Sequence, residues 1–189
     1  MILIEPSRFR NMPWKNGLGT TTEIHRADGL DGEMDWRVSI AGVDNNGPFS
    51  AFPGYQRHLM VIEGAGMVLE GGPEGLINAS PTFMPVSFSG DWDISARLLG
   101  GPVRDFNLIV RRGFGRGELV RALLPGPCGF ARDDSVRLIY VLSGAVTHET
   151  IAIAQGSALM LAAQEEATLK PAGGPAFVAL CRVWPDAIQ

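Results

Sequence analysis

The side chains able to do chemistry in this chain are thinly spread. Three histidines, His25, His58 and His148, stand singly, and no run carries two at i and i+2, the spacing that would aim both imidazoles into one barrel to hold a metal. His58 and Glu63 come nearest, but five residues apart they fall on opposite faces of a regular strand. Cys128 and Cys181 are too few and too distant for a thiolate zinc site or a disulfide framework, and they suit a reducing compartment. No serine or cysteine sits in a nucleophile elbow beside a partnered histidine. The residues therefore predict no metal, no cofactor and no covalent catalyst.

What the sequence does hold is polar groups in phase. In "DWRVSIAGV" the alternation sets Arg37, Ser39 and Ala41 on the face opposite Trp36, Val38 and Ile40. In "DFNLIVRR" it separates Asp105, Asn107, Ile109 and Arg111 from Phe106, Leu108 and Val110, and in "TTTEIHR" it groups Thr21, Glu23 and His25. Such faces either look at solvent, as the outer side of an antiparallel sheet does, or line a barrel mouth and orient a small polar ligand. Arg111, followed by Arg112, suits the surface. The loop "NGPFSAFPGYQRHL" brings Phe49 and Phe52 close to Arg57, which opens the next strand. An arginine at a strand end beside aromatic rings suits a carboxylate held in partly dry surroundings, although the two phenylalanines would equally plug a barrel end. Ahead of these lies "MPWKNGLGTTTEIHR", where Trp14, Lys15 and Asn16 precede two glycines. It reads as a loop laying an indole and a polar pair over the mouth, or as an edge with Trp14 in the core.

The elements that must position these residues are short. Gly and Pro, 24 and 13 in number, break the chain into apolar or alternating runs with almost no helical periodicity. Strands are predicted at Thr20–His25, Asp35–Val43, His58–Glu63, Gly66–Glu70, Thr82–Phe88, Asp93–Leu99 and Asp105–Arg111. A second set follows at Glu118–Leu123, Val136–Leu142, Ala145–Ala154, Ala158–Leu161, Ala167–Lys170 and Ala176–Val183. The fold class is all-β, a sandwich or a barrel. "RHLMVIEGAGM" from Arg57 echoes "RLIYVLSGAV" from Arg137, with Gly64 and Gly144 80 positions apart. A repeat of that length suits two jelly-roll barrels packed on each other, a bicupin, with an N-terminal barrel over 1–112 carrying the pocket and a C-terminal one over 113–189.

With 46% hydrophobic and 19% charged residues the chain is an ordinary globular one. Its net charge of −4 argues against nucleic acid as the main partner. No window approaches the ~18 apolar residues of a membrane span, and a charge follows the first few apolar residues too soon for a signal peptide. A cytoplasmic protein is expected, and a homodimer is compatible with it.

Taken in order, "MPWKNGLGTTTEI", "DWRVSIAGV", "GPFSAFPGYQRHLMVIEGAGM", "FSGD" and "GPVRDFNLIVRR" closely resemble the HutD/Ves family over about residues 12 to 112. Leu18 stands where that family usually has a glycine, and a positive φ there would strain it. The resemblance implies a bicupin without metal-binding histidines and a role attached to histidine utilisation. Family members are linked to degradation of histidine through urocanate and formiminoglutamate, and are proposed to sense or buffer an intermediate. For such small carboxylates Arg57 and Arg37 would be anion partners and Lys15 would add field. Asn16, Asn107 and Glu23 would satisfy a ligand N–H, with Trp14 as a flat wall. The function expected is a non-catalytic binding protein for urocanate, formiminoglutamate or formylglutamate. The alternative is a metal-free isomerase or hydrolase using Glu23, His25 or Asp105 as acid or base.

Overall fold

The computed structural model describes residues 1–14, 19–73, 75–80 and 82–186. In chain order the first strands are β1 (Ile2–Ile4), β2 (Arg10–Pro13), β3 (Gly19–Asp28), β4 (Met34–Val43), β5 (Gly47–Pro48) and β6 (Tyr55–Glu63). They are followed by β7 (Met67–Glu70), β8 (Leu76–Ala79), β9 (Val86–Ser89), β10 (Ser95–Leu98) and β11 (Val103–Arg111). The remainder are β12 (Gly115–Leu124), β13 (Cys128–Phe130), β14 (Val136–Ser143), β15 (Ala145–His148), β16 (Ile151–Ala154), β17 (Ala158–Leu161), β18 (Ala167–Pro171) and β19 (Ala176–Pro185). One 3-10 turn at Pro6–Arg8 is the sole helical element among the described residues, and nothing there is long and apolar enough to cross a membrane as a helix.

The chain divides into two compact units, Arg10–Gly117, and Met1–Phe9 together with Glu118–Gln189. The boundary expected at 112/113 lies in the turn that precedes β12. In the N-terminal unit a six-stranded sheet, β2-β3-β4-β11-β6-β9, and a four-stranded sheet, β5-β10-β7-β8, enclose one apolar core. Leu59 and Val61 of β6 and Met67 and Leu69 of β7 are at most 1% exposed within it, and each stabilises the fold by roughly 1.5–3 kcal/mol through lost contact with water. In the C-terminal unit the sheets are β1-β17-β14-β19-β12 and β13-β18-β15-β16, around a core that includes Ile139, Val141, Val178 and Leu180.

The two units repeat one strand order. β4-β11-β6-β9 beside β5-β10-β7-β8 corresponds to β12-β19-β14-β17 beside β13-β18-β15-β16. The matched glycines agree at the atomic level. Gly64 and Gly144 both have positive φ, and a Cβ on them would come within 2.6 Å of Pro102 O and 3.1 Å of Pro175 O respectively. Each turn thus requires glycine for its handedness and for the approach of the strand that follows the proline. The echo in the sequence is an internal duplication of the fold.

Two strand expectations need correction. Only Val86–Ser89 of the run from Thr82 to Phe88 is strand, because Phe83 has a φ of 68° and turns the chain toward Val61, whose carbonyl accepts its N–H. The run Ala145–Ala154 is a hairpin, β15 paired with β16, and Glu149 with a φ of 51° makes its turn. β1, β2, β5, β8 and β13 were outside the sequence reading, being too short to show a period.

Candidate functional site

Three strands of the six-stranded sheet aim polar groups inward. On β6, Arg57 shares a face with Leu59 and Val61, so its side chain enters the sandwich that they fill. Across from them on β11, Ile109 stands opposite Arg57, Asn107 opposite Leu59 and Asp105 opposite Val61. On β4, Arg37, Ser39 and Ala41 stand opposite Ile109, Asn107 and Asp105. The polar alternation is therefore buried. Asp105 is 0% exposed, Ser39 1%, Asn107 3% and Arg57 6%.

Arg57 is held on all sides. Its Nη1 donates to Ser50 O at 3.0 Å and its Nη2 to Asn107 Oδ1 at 3.1 Å. Three rings surround the guanidinium, with centroids at 5.2 Å for Phe49, 5.3 Å for Phe52 and 5.1 Å for Phe88. Rings at this distance attract a cation through their electron-rich faces, most strongly where water is absent. Burial lowers the Arg57 pKa to about 10 against the opposing pull of Asp105, so it remains a cation at neutral pH. Its Nε has no hydrogen-bond partner among the described residues.

Asn107 relays between the two charges, because its Nδ2 donates to Asp105 Oδ1 while its Oδ1 accepts from Arg57. Burial pushes the Asp105 carboxyl up to about 6, more than the amide and the guanidinium pull it down. Asp105 Oδ2 is buried with no hydrogen-bond partner among the described residues. Arg37 lies over the other guanidinium's ring, Phe52, at 5.2 Å, and its Nε likewise has no partner there. Burial lowers the Arg37 pKa, with Glu23 opposing.

These groups meet at a cavity of about 60 Å³, several times the roughly 10–15 Å³ one water needs. Trp14 and Thr21 close one side, the indole Nε1 donating to Thr21 Oγ1 at 2.8 Å. Trp14 also lies against Gly19, where a Cβ would come within 3.1 Å of the ring. Arg37 and Ser39 of β4, Phe49 and Phe52 of the loop, Arg57 of β6, and Asp105 and Asn107 of β11 complete the expected lining.

Ala41, Ser50 and Ile109 also line the cavity without having been named as site residues. Ala41 and Ile109 continue the alternation of Ser39 and Asn107 and were legible from it, whereas Ser50 contributes a main-chain oxygen, which no side-chain pattern marks. Lys15 and Asn16, with Gly17 and Leu18, lie outside the described residues. Glu23 is buried and faces Arg10 at 3.7 Å but does not line the cavity.

His25 does not share a face with Glu23, contrary to the regular alternation. A β-bulge between them puts Glu23 opposite Ser39 but His25 opposite Val38, which turns the imidazole to the other side of the sheet. There it sits 4.5 Å from the Trp36 ring, and burial lowers its pKa. His58 stands opposite Leu108 on that same far face, its Nδ1 2.7 Å from Ser87 Oγ. Among the described residues no three His, Cys, Asp or Glu side chains gather as a metal-binding group.

Comparison with known proteins places the family and the fold. A protein of Pseudomonas putida, described only as an uncharacterised 21.2 kDa protein in the hutC 3′ region, is 45% identical over 114 residues, 57% of this chain and 56% of that protein. Protein Ves of Citrobacter koseri is 36% identical over 108 residues, 55% of this chain and 56% of Ves. The chain thus spans little more than half the length of these curated relatives. Over the whole length, the structure of HutD from Pseudomonas fluorescens superposes with a TM-score of 0.84 at 30% identity, covering 98% of this chain and 99% of that one. YhhW of Escherichia coli shares the fold alone, at 10% identity and a TM-score of 0.71. The HutD family model matches residues 6–178, which takes in every strand that frames the cavity. By that match and by the motifs that build the pocket, the chain belongs to the HutD family.

Proposed function

We propose that this protein is a non-catalytic binding protein for a small carboxylate, which senses or buffers an intermediate of histidine degradation: urocanate, formiminoglutamate or formylglutamate. Its frame is read as a bicupin, each unit one jelly-roll barrel, on the strength of the repeated strand order. The observation that carries the binding reading is the pair of guanidiniums, Arg37 and Arg57, on either count against the Phe52 ring, each with an unpartnered Nε at one small cavity. A buried N–H left without an acceptor costs free energy, and an anion between aromatic walls supplies that acceptor with charge assistance. The histidine connection comes from relatives, one of them named for the hutC region and another a HutD whose structure is described as a formate condition.

Isothermal titration of the protein with the three compounds tests the reading. One of them binds with Kd on the order of micromolar, and Arg57→Ala weakens it by roughly a hundredfold or more while the variant still melts cooperatively. No heat with any compound would remove the histidine-pathway ligands.

A second reading has one observation in its favour. A buried carboxyl held near pKa 6 at a cavity, as Asp105 is, suits a general acid or base at neutral pH, and so an isomerase or hydrolase. Turnover of one of the same compounds, lost in Asp105→Asn, would establish it.

A further inference from the structure

We infer that Asp105 selects the ligand: the pocket takes small carboxylates that also carry an N–H or O–H donor, and rejects isosteres in which an acceptor replaces that donor. The inference rests on the binding reading above and deepens it, since it names the feature that a bound carboxylate must have besides its charge.

The argument starts from hydrogen-bond supply. A carboxylate offers acceptor positions on both oxygens. Asp105 Oδ1 receives the Asn107 amide, but Oδ2 receives nothing among the described residues. Arg57 is the charge that acts on it, yet its two Nη groups donate to Ser50 O and Asn107 Oδ1. Of the other charged groups on the surrounding strands, Arg37 on β4 is acted on by Glu23 on β3, and Arg111 on β11 pairs with Asp31 and with Asp35 of β4. Arg104 of β11 pairs with Glu63 of β6, Arg26 pairs with Asp28 on β3, and His25 and His58 lie on the far face. The loop from Phe49 to Phe52 contributes no titratable side chain. A carboxylate with a bare buried oxygen has two remedies: it takes a proton, or it takes a donor from a ligand.

The residues that line the cavity carry buried unpartnered atoms of both kinds. The Nε atoms of Arg37 and Arg57 ask for an acceptor, and Asp105 Oδ2 asks for a donor. A plain carboxylate meets the first demand and brings a second negative charge beside the third atom. A carboxylate with an N–H meets both. Recognition of a donor by a buried acceptor is a strong filter, because the analogue lacking it leaves a charged oxygen dry. The elevated pKa of the carboxyl is the same unmet demand seen without ligand.

Matched pairs of probes separate these features: N-acetylglycine against acetoxyacetate, urocanate against 3-(1,3-oxazol-4-yl)acrylate, and N-formylglutamate against 2-formyloxyglutarate. Each is titrated into the full chain and into Asp105→Asn at about pH 8, where the wild-type carboxyl is ionised. The expected result is that the donor-bearing member of a pair binds at least about tenfold tighter to the wild-type protein. In Asp105→Asn, which turns an amide N–H toward the same space, that preference disappears or inverts. On wild-type protein the N-acetylglycine pair is also compared at about pH 5, where a protonated Asp105 becomes a donor and the preference shrinks. That comparison decides the matter if the variant does not fold.

Equal binding of both members in every pair overturns the inference while leaving the histidine-pathway reading intact if urocanate or N-formylglutamate is among the ligands. Discrimination in the N-acetylglycine pair with no binding of the histidine-derived compounds does the reverse. Absence of binding by every probe overturns both.

Discussion

Arg57 and Arg137 open equivalent strands, β6 and β14, 80 residues apart, and both point into the interior of their own unit. Their surroundings differ. Across from β6 the neighbouring strand presents Asp105, Asn107 and Ile109, whereas across from β14 it presents Val178, Leu180 and Arg182 at the same register positions. Where the first unit has a polar relay facing a cavity, the second has the apolar core residues Val178 and Leu180. Arg137 spends both Nη groups on the chain itself, Nη1 on Ala131 O and Nη2 on Glu165 O, while its Nε has Asp133 as an ion-pair partner at 3.7 Å and no hydrogen bond among the described residues. Arg57 is met by one carbonyl, one amide and three aromatic rings. The lesson is that a duplicated buried arginine becomes a brace or a receptor according to what satisfies it. Both leave Nε without a hydrogen bond, so the difference lies in the surroundings: a carboxylate 3.7 Å from Nε at Arg137, aromatic rings and a cavity at Arg57.

Exchanging the distinguishing residues breaks the comparison most sharply. Val178→Asp puts into the C-terminal core the carboxylate that Asp105 is in the other unit, but with Leu180 where Asn107 stands. A buried unpaired charge there should cost on the order of 5 kcal/mol, read as a collapse of the urea midpoint. A variant as stable as the wild type would mean that the second unit tolerates a polar interior and that the two sites differ less than their registers indicate.

Removing the brace comes next. Arg137→Ala leaves two main-chain carbonyls without their donors and should lower stability by about 3–5 kcal/mol. Urea unfolding of Arg137→Ala beside Arg57→Ala checks it, since the second variant should lose the ligand more than the fold. Comparable losses of stability in the two would make both arginines braces.

The smallest expected effect sharpens the receptor side. Asp105 holds its proton more tightly in the folded protein, near pH 6, than in the unfolded chain, where a carboxyl titrates near about 4. Its stabilising contribution is therefore fully present below that lower value and is lost as the pH rises through about 6. Asp105→Val removes this dependence, so the stability of wild type relative to variant should fall by roughly 2 kcal/mol between pH 4 and pH 7. Unfolding curves across that range test it, and a pH-independent difference would show that Asp105 is not the buried acid that separates the two interiors.

Much of this was legible one residue at a time. The alternation of polar and apolar residues along β4 and β11 put Arg37, Ser39, Asp105 and Asn107 on common faces, since a strand sends successive side chains to opposite sides whatever its partners are. The glycines at 64 and 144 announced the duplication, because few other residues make that turn. The solitary histidines ruled out the spacing of a metal pair on any one strand. None of this required knowledge of a neighbour.

Tertiary structure decided what depended on pairing. Whether the polar faces met water or one another was open until β4, β11 and β6 assembled in register and buried them. The bulge that turns His25 away from Glu23 is a mismatch between two strands, which neither strand's own pattern contains. Ser50 entered the site through a main-chain oxygen, and Asp105 acquired a bare one because Arg57 was already committed to Asn107 and Ser50. The sequence alone determined which residues share a face wherever a strand stays regular; only the assembled sheets decided where a bulge resets that alternation and which donors and acceptors were already satisfied, because strand pairing joins distant parts of the chain, as it brings Arg57 to Asn107.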